Sequence, residues 1–267
     1  MTNTFQAFSL ALLQGVTEFL PISSSGHLVL LPYIFKWQDQ GLAFDVAVHV
    51  GTLIAIVIYL RHDLVNIGLG VVRRIATGSG GADSRLGLVI FVATLPALLV
   101  GLLIGPSAEA FLRHPIVIAA ATLVFALVLM CADLYGAKSK HLSELNLKSA
   151  LIIGVAQAIA FIPGTSRSGI TITAALALGH SRRSAARISF LLSIPIILAA
   201  GSYKAIELLI VGSDLDWILF LIGISVAFVS AWIFINLFMR WIEVVGMLPF
   251  VIYRILLAAL IFVFSAN

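Results

Sequence analysis

The sequence predicts an all-α polytopic membrane protein, with six transmembrane helices and two re-entrant helical hairpins arranged as an inverted repeat. Three observations lead there. Of the 267 residues, 61% are hydrophobic and only 10% are charged, against roughly 25% charged in ordinary soluble domains; mean hydropathy is +1.13. Residues 86–105, 115–132 and 217–239 contain no charge at all, and about 20 apolar helical residues cross a hydrocarbon core of roughly 30 Å. Two polar segments broken by proline and glycine, QGVTEFLPISSSGH at 14–27 and PGTSRSGIT at 163–171, interrupt apolar runs at matching places in the two halves.

Taken in order, residues 5–35 are too long for one straight span and break at Leu20-Pro21 and Ser23-Ser24-Ser25-Gly26. The helix before the break, about 15 residues, would reach only ~22 Å, short of the bilayer, so a hairpin that returns to its own side is predicted. Irregular backbone at membrane depth survives only where protein or a wet cavity surrounds it. A span near 41–60 follows, then a loop to Arg85 rich in Gly, Ser and Arg, spans at 86–105 and 115–135, and a short basic loop at 138–148. The pattern then restarts: 150–161 is apolar, 163–169 breaks it, 170–178 is apolar again, and spans follow near 185–203, 217–239 and 248–265.

The chain therefore reads as one membrane domain, 1–267, made of repeats at approximately 1–136 and 149–267. Pro21 and Pro163 are 142 apart, Gly26 and Gly169 are 143 apart, and each half is one hairpin plus three spans. An odd number of crossings per half turns the second copy upside-down, and broken segments at matching places of inverted repeats point to a site at the midplane.

Loop charge tests the hairpins. Arg167, Arg187 and Arg254 are set aside because they lie within apolar segments. With both breaks re-entrant, one side receives Arg61, Arg73, Arg74, Arg85, Lys138, Lys140, Lys148, Arg182, Arg183 and Arg240, and the other only Lys36, Arg113 and Lys204. With both segments crossing fully, the same thirteen divide eight to five. Ten to three fits the positive-inside rule far better, which makes the basic side cytoplasmic and both termini periplasmic. The net charge of +4 thus belongs to loops and not to a nucleic-acid-binding face. The single cysteine, Cys131, excludes a disulfide framework or thiolate metal site and is expected to serve packing. The N-terminus lacks a basic n-region, so no cleaved signal peptide is expected.

Glu18 is the only acid in the first thirty-five residues, and a carboxylate inside a membrane is read as functional by default. Arg167, beside Thr165, Ser166 and Ser168, offers a planar guanidinium with neighbouring hydroxyls, which suits phosphate. Each hairpin tip begins a half-helix, near Ser25 and near Ser168, whose N-terminus presents free N–H groups to an anion. Glu18, Ser24 and His27 cluster across one break. Phosphoanhydride hydrolysis needs a nucleophile, a proton acceptor and positive charge on the transferring group; Ser24 or His27 could attack, and Glu18 could activate the attacker. Against this stand plainer readings: small residues packing helices closely, a satisfied buried imidazole, a snorkelling arginine. Gln14, one turn before Glu18 on the same face, could share a hydrogen bond with it or join it in ligating Mg²⁺ or Ca²⁺. Ser23, Ser25, Gly164, Thr165, Ser166, Ser168 and Thr171 complete the expected substrate-binding set. Gln157, Asp45, His49 and Arg187 are further polar residues in apolar segments, supporting or structural; His62, His114, His141 and His180 lie near loops and are expected to be exposed. No Walker loop, dinucleotide fingerprint, HExxH or GxSxG occurs.

At these residues the chain resembles the undecaprenyl-diphosphate phosphatase family of the bacitracin-resistance type. QGVTEFLPISSSGH is similar to that family's (E/Q)xxxE-plus-His signature, PGTSRSGIT fits its PGxSRSxxT motif, and AARISFLLSIP at 185–195 is also family-like. The resemblance implies an integral enzyme of the bacterial inner membrane that removes the terminal phosphate of undecaprenyl diphosphate, with its active site facing the periplasm, recycling the lipid carrier of peptidoglycan synthesis. It implies Glu18, Ser24, His27 and Arg167 as catalytic, Gln14, Ser166 and Thr171 as lining the site, and dependence on a divalent cation. Two departures are Gln14, which lacks the charge of the glutamate option, and Ser25 where threonine is frequent. The rival reading is a transporter or flippase of a polyprenyl phosphate using the same midplane anion site. The expected partners are the polyprenyl diphosphate and membrane lipid, with no nucleic acid; a homodimer is left open.

Overall fold

The computed structural model describes residues 4–37, 41–104, 111–112, 114–211 and 216–265. Its α-helices, in chain order, are α1 (Thr4–Thr17), α2 (Ser24–Phe35), α3 (Gly41–Tyr59), α4 (Arg61–Thr77), α5 (Gly81–Leu103), α6 (Pro115–Tyr135), α7 (Leu147–Ala158), α8 (Arg167–Ala177), α9 (Arg182–Val211), α10 (Trp217–Val245) and α11 (Leu248–Ser265). Among the described residues there is no β-strand, only an isolated bridge between Lys140 and His180.

Six helices, α3, α5, α6, α9, α10 and α11, are long and apolar enough to cross a bilayer, as the sequence predicts, and the chain is a multi-pass membrane protein. The four helices around the breaks are short. With 14, 12, 12 and 11 residues, α1, α2, α7 and α8 extend about 16–21 Å at 1.5 Å per residue. Local chemistry sets their limits. Asn146 accepts a bond from Ser149 N–H to start α7, Pro115 opens α6 behind the His114 cap, and Asp216 caps α10 through Ile218 and Leu219 N–H. Glycine permits close crossings: a Cβ on Gly15 would lie 2.6 Å from the Ala227 carbonyl oxygen of α10, and one on Gly154 2.3 Å from the Ala93 carbonyl oxygen of α5. The first short helix of one break thus packs on α10, and that of the other on α5.

Three expectations are corrected. The predicted loop to Arg85 is mostly helix: α4 fills residues 61–77 and packs on α5, because Val65, Leu69 and Val72 recur at helical spacing and form an exposed apolar face. Asp63 of α4 takes both of its carboxylate bonds from Arg187 Nη2 of α9, at 2.6 and 2.8 Å. His180 is 1% exposed rather than solvated; burial, with Lys140 adding to it, holds its imidazole below the ordinary histidine value. Cys131 is exposed on α6 rather than packed inside.

Candidate active site

The two breaks meet. After Thr17, α1 ends with Glu18 N–H still bonded to the Gln14 carbonyl, and Pro21 then denies the backbone a further donor. The chain turns through 18–22 and restarts at Ser24. The second break runs from Ile159 to Ser166 and restarts at Arg167. Its Gly164 has φ +93° and a Cβ there would stand 2.3 Å from the Ile118 carbonyl oxygen, so only glycine fits. The residue before each half-helix is a serine with positive φ, Ser23 at +72° and Ser166 at +69°, a conformation that costs about 1–3 kcal/mol for a residue with a Cβ. Both turn Oγ onto the new helix, accepting from Gly26 N–H at 3.4 Å and Gly169 N–H at 3.1 Å. A hydroxyl that caps its own helix is a local reason for these serines.

Glu18 stands where the breaks touch. Its Oε1 accepts from Arg167 Nη2 at 3.0 Å; its Oε2 accepts from Gln14 Nε2 at 2.9 Å and from Ser24 Oγ at 3.0 Å. The carboxylate and guanidinium side chains are 9% and 13% exposed. Ser168 Oγ donates to the Leu20 carbonyl at 2.8 Å and ties the second tip to the first, and the Arg167 guanidinium lies 6.0 Å from the Phe19 ring centroid, within cation–π range. Arg167 Nη1 and Gln14 Oε1 are buried without a protein hydrogen-bond partner. Behind Gln14, its Nε2 lies 3.4 Å from His49 Nε2, and His49 Nδ1 donates to the Asp45 carbonyl at 2.7 Å.

Gln14, Glu18, Ser24 and Arg167, singled out in the sequence, therefore form one hydrogen-bonded group. His27 does not join it: among the described residues no hydrogen bond links it to Glu18 or Ser24. Its Nδ1 bonds the Ser23 carbonyl at 2.7 Å and its Nε2 the Tyr253 hydroxyl of α11 at 2.5 Å. Ser166 and Ser168 hydroxyls bond each other at 3.2 Å. Thr171 is fully buried and bonds the Arg167 carbonyl and Ser189 Oγ, which places it behind the site as a brace. Thr165 is also fully buried, its Oγ1 without a partner. The side chain of Ser25 lies outside the described residues.

Sequence reasoning missed two neighbours on α11, Tyr253 and Arg254. Arg254 is 0% exposed, and its guanidinium donates only to carbonyls: Thr122 at 3.3 Å from Nε, Gly164 at 3.0 Å and Thr165 at 2.9 Å from Nη2. It pins the second break from behind, and a Cβ on Gly169 would stand 2.8 Å from its Nη1. The signal was present, since a lone arginine inside an apolar helix is as costly as a lone acid.

A buried acid, a guanidinium and a serine at the meeting point of two broken helices, in a multi-pass membrane protein, make a candidate site among its spans. The chain belongs to the bacitracin resistance protein BacA family, whose model matches residues 7–260. It is 53% identical over 255 residues to the undecaprenyl-diphosphatase of Teredinibacter turnerae, covering 95% of this chain and 96% of that one. It is 51% identical to the enzyme of that name from Chromohalobacter salexigens and 54% identical to that from Saccharophagus degradans, each match covering 97% of both chains.

Proposed function

We propose that this chain is an undecaprenyl-diphosphatase, an integral membrane hydrolase that converts undecaprenyl diphosphate to undecaprenyl phosphate and inorganic phosphate. The observation that carries the reading is Glu18, held at once by Arg167, Ser24 and Gln14, in a chain about half identical to enzymes of that name. Nothing in those names favours the carrier reading.

In this reading the diphosphate head meets the two half-helix N-termini and Arg167, whose Nη1 has no protein partner, while the prenyl tail stays in lipid. Ser24 Oγ attacks the terminal phosphorus and its proton passes to Glu18 Oε2, already 3.0 Å away. The bond from phosphorus to the bridging oxygen breaks, undecaprenyl phosphate leaves, and water then cleaves the phosphoserine. The fixed positive groups stabilise the charge that develops on the phosphoryl oxygens.

Among the described residues no group of three or more His, Cys, Asp or Glu could hold a metal ion. Two oxygens suit a hard cation that shares its coordination with the substrate: Glu18 and the unpartnered Gln14 Oε1. Mg²⁺ commonly takes one or two protein ligands and fills the rest with phosphates and water. Bound there, it would neutralise phosphoryl charge.

Two re-entrant hairpins inserted from opposite sides in inverted repeats account for the short helices, for the matched serines 143 residues apart, and for the ten-to-three division of loop cations. This reading sets both termini in the periplasm of a bacterial inner membrane, the site facing the periplasm, and α4 along the cytoplasmic face. The test of function is phosphate release from a polyprenyl diphosphate by purified protein, with and without EDTA. Turnover that EDTA abolishes and Mg²⁺ or Ca²⁺ restores is expected; no release by the untreated protein refutes the assignment, and release indifferent to EDTA refutes the cation.

A further inference from the structure

Helices α3 and α9 pack on each other and leave a crevice of about 180 Å³ between them. Val46, Val50 and Leu53 line it from α3, and Ile197 and Leu198 from α9; over residues 46–53 it runs about 10 Å at 1.5 Å per residue. Lys204 Nζ bonds Asp45 Oδ2 at 2.9 Å and joins the two walls at the Val46 end. Leu198 is 49% exposed on a helix long and apolar enough to span the membrane, so the crevice opens sideways to lipid. Its inner side reaches the candidate site through His49. That residue lines the crevice, and its Nε2 stands 3.4 Å from Gln14 Nε2, which donates to Glu18 Oε2 at 2.9 Å. With Nδ1 donating to the Asp45 carbonyl at 2.7 Å, both ring nitrogens are engaged, and the ring carbons complete an apolar wall.

Gly201 also lines the crevice. Glycine inside a helix is disfavoured against alanine, and in membranes it serves where backbones approach closely. A Cβ on Gly51, Gly87, Gly101 or Gly223, the other glycines inside the long helices, would meet a neighbour at 2.4, 2.8, 2.7 and 3.1 Å; one on Gly201 would meet nothing within 4 Å. Helix contact does not explain Gly201. The open width beside it does.

We propose that this crevice holds the prenyl stem of the substrate, the part next to the diphosphate, and that Gly201 sets which stems fit. This rests on the hydrolase reading above. A head held at Glu18 and Arg167 has a stem that must leave toward lipid, and the crevice is the apolar space that His49 separates from Gln14. An apolar cavity of about 150 Å³ accepts benzene, so there is room for a five-carbon isoprene unit. Each such unit carries a methyl branch on a rigid double bond and is broader than a straight acyl chain. The width left by the missing side chain at 201 suits that branch, which favours the substrate's own chain over the tails of surrounding lipid as occupant. Later units of the chain lie in lipid.

Gly201→Leu fills the crevice from a position where a Cβ meets no other atom. The wild type and this variant are compared on farnesyl diphosphate and on dodecyl diphosphate, whose stem is straight. KM for farnesyl diphosphate is expected to rise about 10-fold or more, the scale on which a hydrophobic pocket tells one methylene from none, with kcat within about twofold; KM for dodecyl diphosphate rises less. An unchanged KM, a loss confined to kcat, or an equal rise for both substrates overturns the proposal. The position of the stem is read directly with a non-hydrolysable, methylene-bridged farnesyl diphosphate that carries a diazirine on its first isoprene unit, photolysed on wild-type protein in nanodiscs. Adducts are expected within residues 46–53 and 197–205 and are abolished by excess undecaprenyl diphosphate. Adducts on other helices, or none, overturn the subsite. So does crevice labelling by a diazirine phosphatidylcholine that the substrate does not displace, which would make it a seat for bulk lipid. The labelling holds whether or not Gly201→Leu folds. A wild type that releases no phosphate rejects the hydrolase reading, whereas phosphate release beside adducts elsewhere rejects the crevice alone.

Discussion

At the scale of single residues, the arrangement turns on two arginines, one bonded to a carboxylate and one to backbone carbonyls. Arg167 gives one nitrogen to Glu18 and keeps Nη1 buried and unpaired, the donor that the proposed function offers to the diphosphate. Arg254, with no exposure, gives Nε and Nη2 to backbone carbonyls while its Nη1 too lacks a partner, and it holds the loop that presents Arg167. Lysine at 167 would keep the charge and lose the fork that can hold Glu18 and a phosphate oxygen together. Arg167→Lys should therefore lower kcat/KM for phosphate release by about 10²–10³, the loss typical for an essential transition-state donor. A variant within a few fold of wild type would remove the bidentate role. Which of Ser24 and His27 attacks was open in the sequence because both lie within ten residues of Glu18. The partner that distinguishes them, Tyr253, is 226 residues away from His27, and no local pattern carries that distance.

At the scale of elements, the site depends on four helices too short to cross the bilayer. Two of them, α1 and α7, are held by close backbone approach to a long neighbour, because between helices in lipid it is packing, hydrogen bonds and lipid entropy that drive association. Gly154→Val is the direct probe: its Cβ would meet the Ala93 carbonyl oxygen, so α7 must withdraw from α5. Overpacking of this kind destabilises by about 1–3 kcal/mol, seen as a lower thermal unfolding midpoint in detergent; an unchanged midpoint would mean the crossing is not tight. The half-helix starts fall one residue before the positions read from sequence, at Ser24 and Arg167, because each positive-φ serine ends the turn and caps the next helix. Helix α4 is harder to read. Its Arg61, Asp63, Arg73 and Arg74, with Gly68 and Gly70, have loop composition, and only the spacing of Val65, Leu69 and Val72 betrays a helix.

At the scale of the whole molecule, hydrophobic runs made the six spans legible, since length and absence of charge decide membrane crossing almost alone. The pairing of the two breaks was legible for another reason: Glu18 and Arg167 are each costly in lipid and each relieves the other. What stayed hidden were the partners of Arg254, whose cost in an apolar helix was visible but whose acceptors lie on other elements, and the contacts of Tyr253 and of His180 beside a basic loop. The proposed inverted repeat carries its own test, because an odd number of crossings per half leaves both termini on one side. Reporters fused to either end should be active only in the periplasm; activity of either in the cytoplasm would undo the repeat. If the two breaks make one catalytic unit, a double-mutant cycle on kcat/KM with Glu18→Gln, Arg167→Met and the double variant shows it. Residues acting as a unit lose far less together than the sum of their separate losses, so the double variant should be about as inactive as either single one. Losses that simply add would mean that Glu18 and Arg167 act independently.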